Sequence, residues 1–309
     1  MRELPLSLFT CKTLTKLKLA VGGSGSDVLN VPPGVILPCV KTLDISVFRE
    51  PFVHVYKLIN GCPVLESLCL SLEALRWGDD TEEYNFTIPT LKRFELRTPR
   101  YTSDISKVVL NVPNLEYLIL SGVLCSYFVM EDFPSHVEAT VSFSEVGYKH
   151  LMIELLKGLS EAKSLSWSTS TIGVPLNIPL PKFNYLKRLE FKGFSCFGWF
   201  LMFEVLQRSC ALEYLCIEEP EGFCWKEPPS VPGCMLSHLR TMKFISFKKR
   251  ECDIMFLEYL LANAKVLKIL TITSEIWPPS DEMLMCAQLL KFPRASSFCE
   301  IRFVKKWSH

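Results

Sequence analysis

Leu65–Leu70 reads LESLCL and Leu91–Leu96 reads LKRFEL, with their first leucines 26 residues apart. Both have the form apolar-x-x-apolar-x-apolar, and that form recurs along the chain. Upstream stand LTKLKL at Leu14 and VKTLDI at Val40. Downstream come LEYLIL at Leu115, a weaker HVEATV at His136, AKSLSW at Ala162, LKRLEF at Leu186, LEYLCI at Leu212, LRTMKF at Leu239 and LKILTI at Leu267. The eleven copies start 21 to 28 residues apart. Recurrence at one period is the mark of a stacked repeat, since a unit this short cannot bury its apolar face alone.

Within each copy the fourth and sixth residues are apolar and their neighbours mostly polar. A period of two describes a strand with one buried face. A strand that returns about every 25 residues lies parallel to its predecessor, joined by right-handed crossovers. The spacing sits at the upper part of the leucine-rich-repeat range. The predicted fold class is therefore α/β: a leucine-rich-repeat solenoid, horseshoe-shaped, with one curved parallel sheet of about ten or eleven strands. Its connectors should be of two kinds. Residues 148–162, 197–211 and 256–264 carry apolar residues at three- and four-residue steps and predict helices. Residues 21–35, 168–181 and 218–233 hold Pro and Gly and predict extended chain. At the ninth position, where such repeats often carry Asn, stand Phe48, Val123, Phe194 and Phe247. An apolar plug is expected there in place of an amide ladder.

Composition limits function more than it assigns it. The chain has 309 residues, 49% of them apolar, with 21 Phe, enough for a core running the length of one solenoid. Its 34 basic and 33 acidic residues leave a net charge of +1, so no global field draws it to nucleic acid or to a membrane surface. Among 13 cysteines there is no CxxC pair and no zinc-ligand spacing. Cys62 and Cys210 precede matching repeats and Cys69 and Cys216 lie in matching strands, as small apolar residues of a reduced protein would. LPLSLF at Leu4 is too short for a secretory signal and FGWFLMF (197–203) too short to cross a bilayer, so the expected location is intracellular, cytoplasmic or nuclear. His54, His136, His150, His238 and His309 fall in unrelated contexts, and no HExxH, GxSxG or P-loop pattern occurs. No catalytic residue, metal site or cofactor is expected. GDDTEE (78–83), Lys248–Arg250 and the terminal KKWSH read as solvated segments.

Alternation also locates a candidate binding surface. The third, fifth and seventh residues of each copy should face the concave side, opposite the core. They supply Arg93, Glu95 and Arg97, then Tyr117 and Ile119, Ser166 from an all-serine rung, Arg188, Glu190 and Lys192, Tyr214 and Glu218, and Lys243. Tyr and Arg are the side chains that most often anchor protein interfaces.

INGCPVLESLCL (59–70) and VPNLEYLIL (112–120) resemble the leucine-rich region of plant F-box/FBD/LRR-repeat proteins. CMLSHLRTMKFISF, FLEYLLANAKVLKILTI and LLKFPRASSFCEIRF, between 234 and 303, resemble the FBD domain of that group. The resemblance implies repeats over 1–230, an FBD-like region over 231–305 that continues the solenoid, and a tail at 306–309. It also implies a role as the substrate-recognition arm of an SCF-type ubiquitin ligase, binding an unidentified target protein. Thirteen residues precede the first repeat leucine, so an F-box is expected to be absent. A Skp-type adaptor and cullin are expected as partners only if an F-box lies upstream. The alternative reading is a hormone or inositol-phosphate sensor on the concave face.

Overall fold

A tight turn opens many of the repeats, and in the first half of the chain it is written in proline. Leu37-Pro38-Cys39-Val40, Cys62-Pro63-Val64-Leu65, Ile88-Pro89-Thr90-Leu91 and Val112-Pro113-Asn114-Leu115 each close by an N–H of the last residue donating to the carbonyl of the first, at 3.0–3.3 Å. Proline pre-sets the backbone angle that the second position of such a turn requires. Val40, Leu65, Leu91 and Leu115 are fully buried, so the turn also plants the first apolar residue of the repeat in the core. The strand begins two residues later each time.

The computed structural model describes residues 4–21, 29–48, 52–73, 83–98, 106–124, 126–146, 149–169, 180–193, 196–218, 226–274 and 279–305. They fall into two compact units, Met1–Leu159 and Ser160–His309. In chain order the first unit holds α1 (Leu6–Phe9), β1 (Lys16–Val21), β2 (Thr42–Phe48), α2 (Phe52–Asn60), β3 (Ser67–Glu73), β4 (Glu83–Thr87), β5 (Arg93–Arg97), β6 (Ser106–Asn111), β7 (Tyr117–Leu124), β8 (Ser126–Glu131), β9 (Glu138–Val146) and α3 (Lys149–Gly158). The second holds β10 (Ser164–Thr169), β11 (Arg188–Lys192), α4 (Cys196–Gln207), β12 (Tyr214–Glu218), α5 (Gly233–Ser237), β13 (Thr241–Ile245), α6 (Glu251–Asn263), β14 (Ile269–Ser274), α7 (Pro279–Leu289) and β15 (Glu300–Lys305).

The first unit stacks β1, β2, β3, β5, β7 and β9 as parallel neighbours. Their register aligns the repeats position by position: Lys16 opposes Thr42, Thr42 opposes Ser67, Ser67 opposes Arg93, Arg93 opposes Tyr117 and Tyr117 opposes Glu138. The second unit does the same with β10 through β15. Fourth and sixth positions point into the core as the period predicts, and Leu43, Leu70, Leu118, Leu120, Leu189 and Leu215 have no exposed surface. Each unit is thus the α/β parallel-sheet arrangement expected of leucine-rich repeats.

A second sheet enters where the spacing gives no warning. In the first unit β4, β6 and β8 pair in parallel, with Tyr84 opposing Val108 and Val108 opposing Phe128. These connectors alternate as the principal strands do, so Tyr84, Phe86, Val108, Leu110 and Phe128 are buried. Phe86 meets Phe94 of β5 with ring centres 5.5 Å apart, which links the two sheets through the core. Extended connectors of adjacent repeats therefore hydrogen-bond to one another, satisfying backbone groups that would otherwise be buried unpaired.

Helices form over all three predicted connectors, as α3, α4 and α6. α4 is apolar on nearly every side and buried on most of them: Trp199, Leu201, Met202, Phe203, Val205 and Leu206 are inside, while Phe200 is exposed. Trp199 meets Phe256 of α6 at 5.0 Å and Phe244 meets Phe247 edge-on at 5.2 Å, so aromatic rings pack against one another in the core of this unit. Periodicity does not predict helices α1, α2, α5 and α7. Of the connectors predicted to be extended, 22–28, 170–179 and 219–225 lie outside the described residues, while 29–35 and 226–232 contain neither helix nor strand. The ninth-position plugs Val123 and Phe247 are buried and Phe48 is half-buried; Phe194 lies outside the described residues. So do 78–82 of the acidic run and 306–309 of the tail.

One turn has its own device. Gly122 sits at a β-bulge in β7 with φ of 108°, and a Cβ there would stand 2.1 Å from the Thr98 carbonyl oxygen. The Thr98 hydroxyl accepts the Val123 N–H at 3.0 Å and donates to the Val123 carbonyl at 2.6 Å. This side chain does at one repeat what an Asn ladder does in other solenoids.

Candidate functional site

The face opposite the core carries the third, fifth and seventh positions, and the predicted site residues all lie on it. Arg93, Glu95 and Arg97 project from β5, and β7 sets Tyr117 beside Arg93 and Ile119 beside Glu95. In the second unit β10 sets Ser166 beside Glu190 of β11, where Arg188 and Lys192 flank that glutamate. β12 sets Tyr214 beside Arg188 and Glu218 beside Lys192, and Cys216 between them opposes Lys243 of β13. Five predicted residues thus meet on adjacent strands of one unit, and seven on four consecutive strands of the other.

The same arrangement occurs twice. Glu95 accepts Arg97 Nε at 2.9 Å and lies 3.4 Å from Arg93, while Glu190 accepts Arg188 Nε at 3.0 Å and pairs with Lys192 at 3.2 Å. In each case a glutamate with little exposed side chain is held between two exposed cations of its own strand, and a tyrosine stands opposite the first cation. The Arg188 guanidinium lies 3.8 Å over the Tyr214 ring, a cation–π contact that fixes both planes.

Burial and hydrogen bonding together set the titration of these groups. It pushes the Glu190 carboxyl up, but hydrogen bonds from Arg188 and Lys192 outweigh it and leave the group below its ordinary value. Burial raises the Tyr214 phenol to about 12 and the Cys216 thiol to about 11, with Cys216 and Glu190 respectively adding to the shift. Cys62 and Cys234 are likewise raised, to about 11 and about 12, by burial. Such thiols stay protonated at neutral pH and make poor nucleophiles. Among the described residues no three His, Cys, Asp or Glu converge as metal ligands, and no helix is long and apolar enough to cross a membrane. What the face offers chemically is charge, aromatic surface and hydroxyl groups.

Outside this face the second positions Lys41, Glu66, Lys92 and Glu116 of the first unit alternate in sign, with Glu66 held by Lys41 at 2.8 Å and Lys92 at 3.2 Å. Sequence reading also missed the last strand. FCEIRF (298–303) fits the repeat form, but it starts 31 residues after Leu267 and so falls outside the period. β15 nonetheless opposes β14 in the common register, Ile269 to Glu300 and Thr271 to Arg302. It adds Arg302 and Val304 to the face, and with Thr241, Ile245, Ile269, Thr271 and Thr273 they line a groove of about 550 Å³.

In each unit a parallel repeat sheet with an exposed face of charged and aromatic residues marks a leucine-rich-repeat protein. A family model described as "FBD" matches residues 227–272, and one for the LRR repeats of FBD-associated F-box protein At5g56370 matches residues 1–129. F-box/FBD/LRR-repeat protein At4g26340 of Arabidopsis thaliana is 30% identical over 97% of this chain and 72% of its own length. Putative FBD-associated F-box protein At3g50710 and FBD-associated F-box protein At5g56370, from the same plant, are 29% and 28% identical, with 97% of this chain and 71% and 72% of their own lengths covered. No solved structure matches. The chain belongs to the plant F-box/FBD/LRR-repeat family.

Proposed function

We propose that this chain is a protein-binding scaffold that serves as the target-recognition arm of an SCF-type ubiquitin ligase receptor. Its contact surfaces are the strand faces of the two units, bearing Arg93, Glu95, Arg97, Tyr117 and Ile119 in the first and Ser166, Arg188, Glu190, Lys192, Tyr214, Glu218 and Lys243 in the second. The leucine-rich repeats occupy 1–230, and the FBD-like region, 231–305, extends the same face. The observation that carries this reading is the repeated rung: Arg-Glu-Arg beside Tyr117, and Arg-Glu-Lys beside Tyr214. Arg and Tyr held rigidly by neighbours lose little freedom on binding, which favours them as anchors. The adaptor and cullin belong to an F-box-bearing form, working in the cytoplasm or nucleus. A hormone or inositol-phosphate sensor would need cations converging without carboxylates, whereas Glu95 and Glu190 each neutralise their neighbours.

The test is affinity capture from plant extract with quantitative mass spectrometry. It compares the chain with an Arg93→Glu/Tyr117→Ala/Arg188→Glu variant and with a Lys157→Glu control on α3. Proteins lost at least about tenfold from the first variant alone are the expected result. Equal capture by all three overturns the assignment of this face. Binding of purified Skp-type adaptor is measured in parallel, with and without a grafted F-box. A melting-temperature rise with inositol hexakisphosphate would favour the sensor instead.

A further inference from the structure

The strand order of the second unit ends on β15, and among the described residues no further strand follows it. The Glu300 N–H donates to the Lys268 carbonyl at 2.8 Å, which sets the phase of the parallel ladder. Glu300, Arg302 and Val304 therefore turn their backbone groups to β14, while Ile301 turns its own outward, where among the described residues they meet no partner. Side chains record the same open edge. Leu270, in register with Ile301, is fully buried because β15 covers it, whereas Ile301 itself is only half-buried. Such an edge is a template for another strand, and a solenoid end without a polar cap favours covering it.

On the solvent side this edge is its own complement. Phe298, Glu300, Arg302 and Val304 read apolar, acidic, basic, apolar, with Phe298 88% and Val304 47% exposed. An antiparallel second copy presents them in reverse. Outward-turned residues must oppose one another to exchange their bonds, so the two-fold axis passes through a residue. An axis at 300 sets Glu300 against itself, one at 302 sets Arg302 against itself, and one at 303 sets Arg302 against Val304. An axis at Ile301 sets each Glu300 opposite Arg302 of the second copy and each Val304 opposite its Phe298. Ile301 then meets Ile301, with the outward N–H and carbonyl of both bonded. Within one chain Arg302 already donates to both oxygens of Glu300, at 2.9 and 2.8 Å. Pairing retains those bonds and brings a second guanidinium to each carboxylate, which has lone pairs to spare. Both side chains remain solvated, so the charges select the register, while the ladder bonds and covered apolar groups supply affinity.

We propose that β15 is a homodimerisation edge: two copies of the chain pair their last strands antiparallel about a two-fold axis at Ile301. The contact is isologous and closes at two copies.

The test is sedimentation velocity of the full chain, loaded from about 1 µM to about 1 mM. Monomer and dimer in reversible exchange are expected. Arg302→Glu and Glu300→Arg each set like charges across the axis and should weaken the dimer at least about tenfold. Mixing these two variants restores both opposite pairs, so a heterodimer should form. The double Glu300→Arg/Arg302→Glu chain should dimerise like the unaltered one, because the exchanged charges still oppose. A monomer throughout, a dimer indifferent to Arg302→Glu, or two variants that stay apart when mixed overturns the proposal. Growth into longer oligomers overturns it too, since a head-to-tail contact would not close.

Discussion

Leu118 and Ser166 sit one position apart in the repeat, on opposite faces of their strands. Leu118 is fully buried in β7, while Ser166 of β10 keeps solvent contact. Leu118→Ala should therefore cost about 2–5 kcal/mol, through lost burial and the cavity left behind. Ser166→Ala should change stability by no more than about 0.5 kcal/mol. Urea unfolding of the two variants checks both, and equal losses would contradict the register. At the bulge, Thr98→Val keeps the shape and removes both hydroxyl bonds to Val123. Its expected cost is about 1–3 kcal/mol, since a half-buried N–H and carbonyl lose their partner. Leu118 was legible from the sixfold pattern alone. The Thr98 device was not, because it depends on a bulge that only the paired strands create.

Strands and helices respond to charge differently. In the β11 rung Glu190 is held below its ordinary value by Arg188 and Lys192, against burial. A carboxylate depressed in the folded state stabilises the fold above its unfolded pKa, about 4.3, and loses that contribution as pH falls through the folded value. Thermal melts of Glu190→Gln should accordingly lose less between neutral pH and about pH 3 than those of the unaltered chain. α6 depends on a buried acid instead. Asp253 has no exposed surface and accepts the Arg250 backbone N–H at 3.2 Å and its guanidinium at 3.0 Å. Asp253→Ala leaves that helix start uncapped and the arginine unpaired, at a cost of about 3 kcal/mol measurable by chemical denaturation. The helical period of 256–264 announced α6, but its Arg–Asp start reads in sequence as one more solvated basic cluster.

Taken over all 309 residues, the charges nearly cancel, leaving a net charge of +1 and an isoelectric point near 7.5. Low net charge permits association, and Met283, Leu284, Leu290 and Phe298 expose large apolar surfaces near the last strand. Solubility should pass through a minimum near pH 7.5 and rise at pH values about two units either side. Leu290→Ser/Phe298→Ser should flatten that minimum, as light scattering against pH will show. A minimum at another pH, or one unchanged by the double substitution, would shift the cause away from charge balance and these exposed side chains.

The repeat period, the buried fourth and sixth positions and the start of eleven strands are local properties, decided by which residues can cover a parallel neighbour. A single sequence states the period and the buried positions, and the structure begins the strands at the third residue of each copy, as at Lys16, Thr42 and Ser67. The charged rungs at Arg93 and Arg188 follow from the same alternation. Tertiary structure decided the rest, because the rest depends on what arrives from elsewhere in the chain. β4, β6 and β8 are strands only because each finds the next connector to bond with. β15 joins the sheet across an irregular spacing because Ile301 and Phe303 still meet the edge of β14. Lys243 and Thr273 look like ordinary polar residues in sequence. What each of them faces is set only once the strands on either side are laid down.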